Sequence, residues 1–173
     1  MRKLLCVMVL AAACGKHAEK KPEETAKKIR DGWLHTGDMA IKDADGYVRI
    51  TGRLTDMIIV GGFNTYPAEI EDFFLRHPKI LDISIVGVPD AIMGETVMAF
   101  VIPREGQTLS ADEVLAFARG KIANFKVPKY VEIVDRFPLT GSGKVQKFKQ
   151  KEYAIEKYRL SGNAEPPPPA TAG

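Results

Sequence analysis

Lys144 follows Gly141-Ser142-Gly143, so a mobile ammonium stands on a loop whose backbone can approach a ligand closely. That arrangement suits stabilisation of the charge that develops on a pentavalent phosphate. It is not a Walker A loop: Pro138 stands where the first glycine belongs and Val145 replaces the hydroxyl residue after the lysine. Asp38 is an acceptor-only carboxylate ahead of a strand, suited to a pair of ribose hydroxyls or, more simply, to capping a hairpin end. Arg53 offers a planar, permanently charged fork for ribose and phosphate oxygens, or one half of a surface ion pair. Gly61-Gly62, followed by Phe63, makes a strand end poor in side chains, fit for close approach by another chain or ligand or for a tight turn with positive φ.

Metal and thiol chemistry are excluded from the middle of the chain. Cys6 and Cys14 both lie in the first fourteen residues, leaving the rest without a disulfide or a cysteine-ligated metal. His17, His35 and His77 are isolated, so no structural metal is expected. Asp43-Ala44-Asp45-Gly46 has some of the residues of a calcium loop but lacks the further oxygen ligand and the closing glutamate; it reads as a turn.

The chain has 173 residues, 45% of them hydrophobic and 27% charged, which suits one globular domain with tails. Its net charge of +3 conceals unlike blocks: +5 over residues 1–30, −8 over 31–118 and +7 over 119–159. Met1-Arg2-Lys3, an apolar run from Leu4 to Ala13 and then Cys14 resemble a bacterial lipoprotein signal, with Cys14 as the lipidation site and membrane attachment as its consequence. The run is too short to span a bilayer as a helix, which needs about 20 residues. Residues 160–173, with Pro166 to Pro169, read as a disordered polyproline tail.

Between these ends the pattern positions the polar residues named above. Asp38–Lys42 and Tyr47–Thr51 flank the Asp/Gly turn as a hairpin. Met57–Val60 is a short buried-type strand, and Tyr66-Pro67 begins a helix with Ile70, Phe73 and Phe74 on its apolar face and Glu69, Glu71 and Asp72 turned outward. Ile80–Val88 and Thr96–Ile102 are apolar, β-branched strands; Ser110 with Glu113 forms a capping box for a helix through about Lys121; Tyr130–Val134 is a further strand. The predicted class is α+β, a small mixed sheet of about three strands covered by helices and preceded by a β-hairpin.

Three separated motifs occur in order: Gly32-Trp33-Leu34-His35-Thr36-Gly37-Asp38; Gly52-Arg53-Leu54-Thr55-Asp56-Met57-Ile58-Ile59-Val60-Gly61-Gly62-Phe63-Asn64-Thr65-Tyr66-Pro67-Ala68-Glu69-Ile70-Glu71; and Pro138-Leu139-Thr140-Gly141-Ser142-Gly143-Lys144. From about Lys21 to Glu152 the chain therefore resembles the C-terminal part of the adenylate-forming superfamily, with wording most like acyl-CoA or fatty-acid–CoA ligases. The resemblance implies Lys144 as the adenylation lysine, Asp38 and Arg53 as nucleotide-binding residues and Gly61, Gly62 and Phe63 as a loop lining the pantetheine tunnel. It also implies a hinge at Thr55, where the family usually has Asp or Lys. The implied substrates are ATP, giving an acyl-adenylate and AMP, and CoA, with magnesium expected only with the large domain and no nucleic-acid partner.

The resemblance divides the chain into a signal (1–14), a linker (15–31), the terminal hairpin of the large domain (32–53), the lid (54–159) and the tail. The phosphate loop, the adenine and magnesium segment and the acyl pocket of the large domain are not in this sequence. The expectation is a truncated or fused C-terminal fragment, inactive alone and dependent on a separate large adenylation domain. The family implies the cytoplasm, a genuine signal a membrane-anchored lipoprotein with the lid fold as an interaction module. Lys126, Lys129, Lys144, Lys147, Lys149 and Lys151 are expected to be largely solvated, facing phosphate-bearing ligands or an acidic domain surface.

Overall fold

The computed structural model describes residues 4–10 and 22–160, in two compact units, Met1–Thr55 and Asp56–Gly173. Cys14 and residues 161–173, with the sequence expectations attached to them, lie outside the described residues.

In the first unit, strand β1 (Leu4–Leu10) and helix α1 (Pro22–Lys28) precede β2 (Ile29–Arg30), β3 (Trp33–Lys42) and β4 (Val48–Arg53). The apolar run near the N-terminus thus pairs antiparallel with β3, which also pairs with β2 and β4. The β3–β4 connection is the predicted turn. Asp43 Oδ1 accepts from the amides of Asp45 (3.1 Å) and Tyr47 (2.8 Å), so this carboxylate is spent on the turn itself. The register slips between Met39 and Ala40, where the Thr51 hydroxyl donates to the Met39 carbonyl.

The second unit contains β5 (Ile58–Val60), β6 (Phe63–Thr65), α2 (Pro67–Phe74), β7 (Ile80–Asp90), β8 (Gly94–Pro103), α3 (Ala111–Ala118), β9 (Tyr130–Ile133) and α4 (Lys147–Tyr158). It is α+β as expected, with a mixed sheet: β7 runs antiparallel along β8, β5 meets the start of β8 at Val60–Gly94, and β9 runs parallel to its middle. The sheet is wider than three strands because β5 and β6, three residues each, close a two-residue hairpin at its edge.

Both faces of the β7–β8 pair are buried, which is why their sequences read as continuous apolar runs. Ile83, Ile85, Val97, Ala99 and Val101 share one face with Ile70 and Phe74 of α2 and Val114 and Ala118 of α3. Val86, Val88, Met98 and Phe100 share the other with Phe137 and Ala154 of α4. Within this second face Ser84 donates to Gln150 Oε1 at 2.7 Å, a buried polar pair. Gly87 faces the first layer, where a Cβ would press on Ile58 at 3.0 Å, so glycine lets β5 lie close.

Two local expectations change. Glu71 is not turned to solvent: one carboxylate oxygen accepts from the Ile85 amide and from Lys147 Nζ, each at 2.8 Å, tying α2 to β7 and α4. Ser110 caps α3 by accepting from the Glu113 amide, but the Glu113 carboxylate pairs with Lys79 at 2.7 Å. The helix ends at Ala118, short of Lys121, and Gly120 takes φ +73. The fully buried Phe74 meets Phe73 and Phe117 in edge and tilted contacts. Phe74→Ala is expected to cost about 3–5 kcal/mol and Ser110→Ala about 1 kcal/mol in urea unfolding; near-equal costs would contradict this packing.

Candidate functional site

Asp38 and Arg53 are direct cross-strand partners in the β3–β4 register, so their side chains share a face. Arg53 Nε lies 3.3 Å from Asp38 Oδ1, with the carboxylate 24% and the guanidinium 65% exposed. Thr36 accepts from the Asp38 amide at 3.1 Å and fixes the backbone before it. The simple ion-pair reading of Arg53 is therefore realised, on an accessible face where a carboxylate and a guanidinium can both reach a polyhydroxylated anion. Thr55 lies in the short 3-10 turn Leu54–Asp56 at the end of the first unit.

In the second unit Lys144 closes a tight loop. Thr140 and Lys144 are joined by N–H to O=C at 2.8 Å, the Gly143 amide donates to the Thr140 carbonyl, and Leu139 and Val145 form an isolated antiparallel bridge. The Thr140 hydroxyl accepts from the Lys144 amide and lies 3.0 Å from the Ser142 hydroxyl. Gly143 at φ +79 lets the chain turn there. The loop is fixed by its own backbone, and Lys144 is exposed with no ion-pair partner among the described residues.

Four of the six lysines expected to face ligands or another domain instead meet carboxylates of their own unit. Lys126 pairs with Glu69 (2.6 Å), Lys129 with Asp90 (2.6 Å), Lys147 with Glu71 (2.8 Å) and Lys151 with Glu95 (3.2 Å). These four are neutralised within their own unit, because the acidic middle of the sequence folds against the basic end. Lys144 and Lys149 are left.

Gly61 and Gly62 adopt φ +55 and +84 between Val60 and Phe63, the left-handed pair a two-residue hairpin requires. The tight-turn reading holds, and a close approach accompanies it: the Gly61 amide donates to the Met93 carbonyl at 2.9 Å, and a Cβ at Gly61 would collide with the Met93 side chain. Phe63, 58% exposed, stacks on Phe125 with centroids 4.8 Å apart and planes 14° from parallel. Asp90, Met93 and Phe125 were not foreseen as supports. The one sequence signal was an aspartate at a strand end, a common turn former.

Among the described residues no three His, Cys, Asp or Glu side chains gather as metal ligands. No described helix is long and apolar enough to cross a membrane.

The second unit thus carries an exposed lysine on a Gly-Ser-Gly turn, and the first, taken by itself, a hairpin with an Asp–Arg pair. Residues 69–144 match the family described as AMP-binding enzyme C-terminal domain. The chain is 51% identical over 145 residues to the putative acyl-CoA synthetase YngI of Bacillus subtilis, covering 83% of this chain and 26% of that protein. It is 46% identical over 141 residues to the mitochondrial medium-chain acyl-CoA ligase ACSF2 of Mus musculus, covering 81% and 23%. The ATP-bound crystal structure of MatB from Rhodopseudomonas palustris superposes with a TM-score of 0.74 at 41% identity, covering 80% of this chain and 28% of that one. Residues 69–144 therefore belong to the AMP-binding enzyme C-terminal domain family, and the chain spans about a quarter of the length of these curated relatives.

Asp90 gives the site a pH signature. Its carboxyl is held down to about 2, chiefly by the Lys129 hydrogen bond and then by the Met93 and Ile92 amides, against the opposing effect of burial. A folded-state value below the ordinary 3.8 means that the stabilisation is complete above that pH and is lost as pH falls through about 2. Urea midpoints are expected to fall across that window, and less steeply in Asp90→Asn; identical pH slopes would contradict the assignment.

Proposed function

We propose that this chain supplies the adenylation lysine and the CoA-facing loop of an ATP-dependent, AMP-forming acid–CoA ligase acting on a fatty or related carboxylic acid. The observation that carries this reading is Lys144: an exposed ammonium without an internal counter-ion, on a backbone-locked turn, in a chain whose relatives are acyl-CoA synthetases. In the first step a substrate carboxylate oxygen attacks the α-phosphorus of ATP, and pyrophosphate leaves with the α–β bond. Lys144 bridges the carboxylate and the α-phosphate, offsetting charge on the pentavalent phosphorus. Asp38 accepts from the ribose hydroxyls, and Arg53 donates to ribose and phosphate oxygens.

In the second step the CoA thiolate attacks the acyl carbonyl and AMP departs as the phosphate leaving group. The Gly61-Gly62-Phe63 turn, with no side chain at its apex, lines the pantetheine path after rotation at Thr55. Phosphate-loop and acyl-pocket chemistry comes from a large adenylation domain, in the same polypeptide or another, and that domain sets which acid is activated. Membrane attachment through Cys14 is a separate proposal that rests on residues 1–14 alone; palmitate or glycerol labelling of Cys14 decides it.

With the chain joined to a relative's large domain, Lys144→Ala is expected to abolish ATP–pyrophosphate exchange while thioester formation from preformed acyl-AMP persists. Equal loss of both steps would contradict the role. ATP–pyrophosphate exchange by the purified chain alone, across a panel of fatty acids, is expected to be absent; robust exchange would overturn the dependence on a large domain.

A further inference from the structure

The turn between β7 and β8 is built around one carboxylate. Asp90 is the last residue of β7, and its side chain is 5% exposed. Its Oδ1 accepts from the amides of Ile92 (3.0 Å) and Met93 (2.9 Å), and its Oδ2 accepts from Lys129 Nζ (2.6 Å). Lys129 is itself placed by its backbone, whose amide donates to the Val97 carbonyl at 2.8 Å.

The other end of this arrangement is Gly61. The Met93 carbonyl accepts the Gly61 amide at 2.9 Å, and the Met93 side chain fills the space that any Cβ at Gly61 would need. The neighbouring residues Val60 and Gly94 pair directly, so the edge hairpin and the β7–β8 turn meet backbone to backbone. Asp90 belongs to neither apolar cluster, and its hydrogen bonds run to Lys129 and to the turn that carries Met93. The hairpin apex is thus held at two points: the Gly61 amide through Met93, and the Phe63 ring through its stack on Phe125.

We propose that Asp90, clamped by Lys129, is a positioning residue that sets the Gly61-Gly62-Phe63 turn through Met93, and through that turn the CoA-dependent half-reaction. The second clause rests on the reading of this turn as the CoA-facing loop. Asp90 touches no reacting atom in this account. A charge-assisted clamp on the residue that accepts the Gly61 amide restricts where the hairpin apex can be when a thiol arrives.

The test uses the full chain and then the chain joined to a relative's large domain. In the full chain, Asp90→Ala is expected to speed amide hydrogen exchange at Met93 and Gly61 by about tenfold, while the Val97 to Val101 amides keep their wild-type rates. Asp90→Asn retains an oxygen acceptor but loses the ion pair, and is expected to give a smaller increase of about threefold, which also serves if the alanine variant fails to fold. Glu105→Gln, on an exposed loop, is the control. In the joined enzyme, Asp90→Asn is expected to raise the CoA KM of thioester formation by about threefold, and Asp90→Ala by about tenfold, with ATP–pyrophosphate exchange unchanged. Unaltered Gly61 exchange in both Asp90 variants would overturn the proposal, as would faster Gly61 exchange with an unmoved CoA KM. Failure of the wild-type joined enzyme to form thioester would instead overturn the CoA-loop reading, while Gly61 exchange still decides whether Asp90 sets the turn.

Discussion

The antiparallel ladder between β7 and β8 is the constraint on which the second unit depends. Each strand is buried on both faces, so α2 and α3 must cover one side and α4 the other. Burial of this kind supplies the main favourable term in folding, and it leaves the polar loops to be arranged at the ladder's ends and edges. The turn that ends the ladder carries Met93, which fixes the Gly-Gly apex. The parallel strand β9 leads onward toward the Lys144 loop. Strands of this ladder therefore sit beneath two small loops, one with exposed backbone at Gly61-Gly62 and one with the exposed ammonium of Lys144.

Charge is distributed by the same logic. The sequence separates an acidic middle from a basic end, and folding brings them together: Glu69, Glu71, Asp90 and Glu95 each meet a lysine from residues 126–151. The Lys126–Glu69 pair is exposed, where an ion pair contributes little stability, and the other three are partly buried. Their effect is on selectivity of charge. They pair four of the basic residues of 119–159, and Lys144 remains an exposed cation on a loop fixed by its own backbone. A single positioned cation suits stabilisation of one developing anionic centre better than a broad basic patch does.

Much of this was legible in the sequence where local chemistry decides the outcome. The Asp43–Gly46 turn, the Pro67 helix start, the Ser110 cap and the β-branched strands all follow from one to ten neighbouring residues. The three motifs also carry Asp38, Arg53, Gly61 and Lys144, whose roles are those proposed above. What was not legible depends on partners distant in the chain. Glu71 looks like an outward helical residue until Ile85 and Lys147 are beside it, and Glu113 looks like half of a reciprocal cap until Lys79 draws it away. Helix α4 escaped notice because its buried positions are Gln150 and Ala154, one polar and one small, so no apolar stripe marks it. Strand β6 is three residues long and is defined by pairing with β5 rather than by its own composition. The role of Asp90 required knowing that Lys129 and Met93 meet it.

The central claim is that this chain brings the adenylation lysine to a large domain that lacks one. The most direct measurement is ATP–pyrophosphate exchange by a relative's large domain, freed of its own C-terminal region, before and after the purified chain is joined to it. The account predicts exchange that is negligible without the chain and restored with it. Equal exchange in the two preparations, or none in either while the joined chain remains folded, would contradict it.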